Sequence, residues 1–98
     1  MIKSFGDKET EYMWKGNISR HFPKEIRIIA RRKLRMLNNA NSLIDLKIPP
    51  SNKLEKLKGD RKDQYSIRIN MRWRICFKWL NNDCYNVEIV DYHQGEEI

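Results

Sequence analysis

Residues 54–93 read LEKLKGDRKDQYSIRINMRWRICFKWLNNDCYNVEIVDYH, and the fold is decided there. Tyr65, Ile67 and Ile69 alternate with Ser66, Arg68 and Asn70, and Trp73, Ile75, Phe77 and Trp79 alternate with Arg74, Cys76 and Lys78. A period of two with one apolar face is the pattern of a half-buried strand. Asn70-Met71-Arg72 and Asn81-Asn82-Asp83 are short polar connections suited to antiparallel hairpins, so the stretch predicts a three-stranded meander. A slip of one residue would turn every apolar side chain outward, which sets a register of Leu80 opposite Cys84, Phe77 opposite Val87 and Arg74 opposite Val90. The solvated face then carries Arg68, Arg74 and Lys78, a basic row on which a polyanion can lie. The same register returns Asp91-Tyr92-His93 to the strand carrying Arg74, placing an acid, a phenol, an imidazole and a guanidinium in one area. A polar strand end near the C-terminus is the plainer account of those three residues.

Working outward, 98 residues suit one domain, 1–98, with a modest core. Lysine and arginine exceed the acids to give a formal charge of +7 and a pI near 9.6, which points to an acidic partner without choosing among nucleic acid, membrane surface and acidic protein. Met1 to Phe5 begins directly with strand-like alternation, without an export-type apolar region or a run long enough to span a bilayer, so the expected location is the cytoplasm and no membrane is expected as a partner. The two cysteines, Cys76 and Cys84, fall on neighbouring strands but not opposite each other, which predicts reduced thiols. Gly6-Asp7 ends the first strand, with Asp7 as the cap of a short helix in which Glu11 and Lys15 form an i,i+4 pair. Pro23 suits the first turn of a second helix from Lys24 to about Asn38. Ile26, Ile29, Ala30, Leu34 and Leu37 share one side of it; Lys24, Arg27, Arg31 and Arg35 share another, a basic face open to simple solvation or to nucleic-acid contact. The prolines of Ile48-Pro49-Pro50 make an irregular loop, after which 54–58 enters the sheet.

This order of a strand, two helices and a meander ending in Asp-Tyr-His resembles the RelE/ParE superfamily of bacterial toxins, and within it the HigB branch, the plasmid-maintenance killer proteins. The resemblance rests on MIKSF at the start, LEKLKGDR, QYSIRIN, WRICFKW and VEIVDYH, in that order along nearly the whole chain. It implies an α+β fold with helices packed on one face of a twisted antiparallel sheet. It also implies a ribosome-dependent endoribonuclease that cuts translated mRNA without a cofactor or metal. Such a toxin is neutralised by a HigA-type helix-turn-helix antitoxin and meets operator DNA only through it. The family's cleavage residues carry over as Lys58, Arg74, Asp91, Tyr92 and His93. The position of the family's first histidine is Glu55, a departure that removes one imidazole.

Cutting RNA without metal requires deprotonating a 2′-hydroxyl, stabilising a phosphorane and protonating the departing 5′-oxygen. Arg74 and Lys58 suit the phosphate, an electrostatic role typically worth about 10²–10³ in rate. His93 suits acid or base work near neutral pH, Asp91 can orient it or act as base, Glu55 is a second candidate base, and Tyr92 can stack on a base or donate to phosphate. His21 reads as a solvated loop residue. Lys24, Arg27, Arg31, Arg35, Arg68 and Lys78 are the expected contacts to RNA or ribosome. The alternative is a binding module without cleavage, as in ParE-like members that target DNA gyrase; the acid-Tyr-His terminus beside Arg74 favours the nuclease.

Overall fold

The computed structural model describes residues 1–91. Helix α1 (Lys8–Trp14) and helix α2 (Lys24–Asn39) precede a four-stranded antiparallel sheet in the order β1 (Glu55–Lys56), β2 (Gln64–Arg68), β3 (Trp73–Leu80) and β4 (Asp83–Asp91). Three short 3-10 turns, at Leu43–Lys47, Pro50–Asn52 and Gly59–Arg61, lie in the segments between α2 and β2. This is the expected α+β arrangement, with the entering strand reduced from 54–58 to two residues.

The alternation in the meander explains the core. Ile67, Trp73, Ile75, Phe77, Val87 and Ile89 bury one face of the sheet against Ile26, Ala30, Leu34 and Leu37 of α2. Those four helical positions recur at intervals of three and four, so they form one stripe along the axis. The stripe contains a residue that its spacing should have flagged: Lys33 is also buried. Pro23 is the N-cap rather than the first helical residue, and Asp7 takes the N-cap of α1 without a side-chain hydrogen bond. The Lys15–Glu11 pair forms as expected, at 3.5 Å.

The inner half of the β3–β4 register is as expected, with Arg74 opposite Val90, but the outer half is shifted by one: Trp79 faces Cys84 and Leu80 faces Asp83. The cause is a bulge between Cys76 and Lys78, where β4 supplies one residue more than β3. Asn86 occupies it at φ 55°, a left-handed conformation that asparagine tolerates. Its amide donates to Ser4 Oγ at 2.9 Å. The connection is consequently a two-residue turn, Asn81 and Asn82 with φ 52° and 65°, the positive values that match the twist of a tight hairpin.

The first residues form two parallel bridges to β4, Ile2 to Cys84 and Phe5 to Val87, rather than a continuous strand. Together with the Ile89 amide, which donates to Thr10 Oγ1 at 3.0 Å, they cover the β4 edge. Gly6 eases this approach, because a Cβ there would sit 3.0 Å from the Asn86 carbonyl oxygen and the backbone would have to give. Cys76 and Cys84 are free thiols, and burial pushes them up to about 11 and about 12. No helix among the described residues is long and apolar enough to cross a membrane.

Candidate active site on the second face of the sheet

Side chains that alternate away from the core meet on the opposite face of the sheet. Glu55, Ser66, Cys76 and Glu88 are successive cross-strand neighbours in one row, and Arg68, Arg74 and Val90 form the next. This face is not the solvated basic row that the alternation suggested. Ser66, Arg74 and Cys76 are buried, Arg68 is half-buried, and only Lys78 of the expected three cations is exposed. What buries it comes from distant sequence, including the 50–54 loop, whose backbone reaches Arg74.

Arg74 is the most tightly held cation on this face. Its Nε donates to Ser66 Oγ at 2.7 Å, and its Nη2 donates to the Lys53 carbonyl at 2.5 Å and lies 3.5 Å from the Ser66 carbonyl. Glu55 Oε1 stands 3.6 Å from the same Nη2, but the Glu55 side chain is 55% exposed against 7% for Arg74. The Ser66 and Lys53 oxygens thus orient the guanidinium, while the carboxylate is the exposed partner at longer range. The structure therefore brings two expected site residues, Arg74 and Glu55, together.

Lys58 precedes the turn at Gly59–Arg61 and is exposed. That turn is tied to the sheet by Arg61, whose Nη1 donates to Glu88 Oε1 at 2.9 Å and to Gln64 Oε1 at 3.2 Å. Asp91 lies opposite Trp73, as the expected register requires, but alternation puts Arg74 on the other face of β3, so the two side chains are on opposite faces of the sheet. Its carboxylate is gripped by Arg72, with contacts of 2.7, 2.9 and 3.0 Å. Asp91 in turn raises the pKa of Arg72, by hydrogen bonding first and charge second. Tyr92 and His93 lie outside the described residues.

The basic face of α2 also divides. Lys24 and Arg35 are exposed. Arg27 Nε instead donates to the Phe22 carbonyl at 3.1 Å, and Arg31 Nη2 donates to the Asn17 carbonyl at 3.1 Å and lies 3.5 Å from that of Met13. Those two arginines fasten α2 to the segment that follows α1. Sequence reasoning passed over Ser66, Arg61 and Arg72, which hold the site's charged groups, although Arg61 stood inside a quoted motif. No group of three histidine, cysteine, aspartate or glutamate side chains among the described residues could hold a metal ion.

The chain is 36% identical to Toxin HigB-1 of Vibrio cholerae serotype O1 over 96 residues, covering 96% of this chain and 99% of that one. It is 31% identical to Endoribonuclease HigB of Proteus vulgaris over 93 residues, covering 95% and 100%. Among solved structures it resembles the YoeB-YefM complex from Staphylococcus aureus, with a TM-score of 0.59, 18% identity and coverage of 95% and 98%, a likeness of fold alone. Residues 3–93 match the profile described as the RelE-like toxin of type II toxin-antitoxin system HigB, and the chain therefore belongs to the HigB-like toxin family.

Proposed function

We propose that this protein is a toxin that cleaves mRNA during translation on the ribosome, acting in the cytoplasm and held in check by a HigA-type helix-turn-helix antitoxin through which alone it meets operator DNA. The observation that carries the reading is the similarity, over 95% of the chain, to a protein named Endoribonuclease HigB. The geometry adds a cation that is already oriented before any substrate arrives. A guanidinium fixed by Ser66 and the Lys53 carbonyl needs no reorganisation when charge builds on a phosphorane, and such preorganised donors are the most effective electrostatic catalysts.

In this reading the 2′-oxygen loses its proton and attacks the adjacent phosphorus, Arg74 and Lys58 stabilise the phosphorane, and the 5′-oxygen leaves with a proton. The products are a 2′,3′-cyclic phosphate and a 5′-hydroxyl. His93 supplies acid or base chemistry, and Tyr92 packs against the substrate. Asp91, whose carboxylate accepts hydrogen bonds from Arg72, acts here by orienting His93 rather than as the base. Substrate reaching Arg74 displaces Glu55, the exposed and more distant of its partners.

The test is primer extension on message translated in the presence of the purified protein, with and without a chelator. Cuts within the reading frame that end in a 2′,3′-cyclic phosphate, need ribosomes and survive chelation are expected. Uncut message with intact polysomes would overturn the reading in favour of a non-cleaving binder.

A further inference from the structure

A buried chain of contacts runs from α2 to the site arginine. Lys33 is 6% exposed and lies in the apolar stripe of α2, and its Nζ donates to Oδ1 of Asn52, which is fully buried. Asn52 spends its amide hydrogens on the same loop: Nδ2 donates to the Leu46 carbonyl at 3.0 Å and lies 3.4 Å from that of Ile48 and 3.2 Å from Met36 Sδ. Its own backbone amide donates to the Pro49 carbonyl at 2.9 Å. The next residue, Lys53, is held at φ 48° and ψ 53°, and its carbonyl accepts from Arg74 Nη2. A lysine side chain is a poor fit to left-handed backbone, so this peptide keeps its direction because its surroundings impose it.

Stability gives no reason for a lysine at position 33. Burial, with help from the charge of Arg32, lowers its pKa, and a wholly apolar pair at positions 33 and 52 would fill the same space without burying a charge. We infer that Lys33 and Asn52 are positioning residues for Arg74, fixing through the 46–53 loop the carbonyl that aims its guanidinium at the scissile phosphate. The inference rests on the nuclease reading for its consequence in rate, but not for its consequence in geometry.

Lys33→Met and Asn52→Leu test it in the full-length protein. For cleavage of ribosome-bound message, kcat should fall about tenfold or more while KM changes little, as expected when a transition-state donor is misplaced. Lys33→Met leaves the buried Asn52 Oδ1 without its donor, so its Tm should fall modestly, and the Val87→Ala protein is the control for stability loss alone. In both variants the Arg74 Nε–H cross-peak, assigned with Arg74→Lys, should shift in a 15N correlation spectrum. The core variant Val87→Ala should lower Tm and leave that peak in place. Two folded variants with parental kcat and an unmoved Arg74 peak would overturn the inference; so would losses that only track Tm, as in Val87→Ala. Should Asn52→Leu not fold, Lys33→Met decides. A parental protein that cuts no message sinks the nuclease reading, and the Arg74 peak of Lys33→Met still decides whether the positioning is real.

Discussion

The two faces of β3 are buried by different physics. On one, Trp73, Ile75 and Phe77 meet α2 and its neighbours, and the indole N–H of Trp73 is the one side-chain polar group among those three. Burial there is stabilising in proportion to apolar area, at about 25 cal/mol per Å². On the other, Arg74 and Cys76 are just as hidden, and oxygens such as those of Ser66, Lys53 and Glu55 make the burial of Arg74 tolerable. The first face makes the protein fold, and the second makes a charge stand still. Substitutions should therefore separate the two: core changes should act on stability, and site changes mainly on rate.

The largest effect is expected from Phe77→Ala. Phe77 is fully buried and stacks with Tyr65 at 6.2 Å between ring centroids, and removing such a ring typically costs about 3–5 kcal/mol. Urea unfolding measures it, and a loss under about 1 kcal/mol would mean that this face is not the core. Next is Arg74→Met, which should reduce cleavage about 10²–10³-fold while the protein stays folded. Far-ultraviolet circular dichroism and primer extension on the same preparation check both halves. Parental cleavage by a folded Arg74→Met protein would take the arginine out of the reaction.

The first face was legible in the sequence because apolar transfer acts residue by residue, and alternation in 65–79 records it directly. The second was misread as solvated because its cover, the 50–54 loop among it, is far away in sequence and has no period. The bulge left a trace that was not used: buried Cys84, Val87 and Ile89 change parity between 84 and 87, with Asn86 inside the break. Lys33 left a similar trace, a cation at a stripe position beside Leu34 and one turn from Leu37. The pairing of Asp91 with Arg72 was not legible, since correct strand register still left two arginines within reach and only the facing of Trp73 chose between them.

The outer face of α2 gives a smaller effect that sharpens the comparison. Lys24 and Arg35 are exposed, whereas Arg27 and Arg31 hold backbone carbonyls. If this face meets ribosomal RNA, Lys24→Glu with Arg35→Glu should weaken ribosome binding and flatten its salt dependence with no change in Tm. Arg31→Ala should instead lower Tm, because a hydrogen bond to a charged group is typically worth about 1.5–3 kcal/mol. Sedimentation of ribosomes at several salt concentrations separates the cases. Equal salt slopes for the parent and the Lys24–Arg35 double variant would remove this face from the interface.

The smallest effect expected is at Glu55, a carboxylate beside the Arg74 guanidinium. The carboxylate is more than half exposed and reaches Arg74 only at 3.6 Å, so it contributes little to stability, and without it Arg74 keeps the Ser66 and Lys53 oxygens. If phosphate takes the same guanidinium, Glu55 competes with it and holds back substrate binding more than it helps chemistry. Glu55→Gln should therefore lower KM for ribosome-bound message about two- to fivefold and leave kcat and Tm near parental values, the pattern of a changed ground-state interaction. Glu55→His should keep or raise cleavage for the same reason, with a new ionisation near pH 6–7 in the rate profile. A collapse of kcat in Glu55→Gln with KM unchanged would reverse the assignment, because a group needed only in the transition state would then be the base that deprotonates the 2′-hydroxyl.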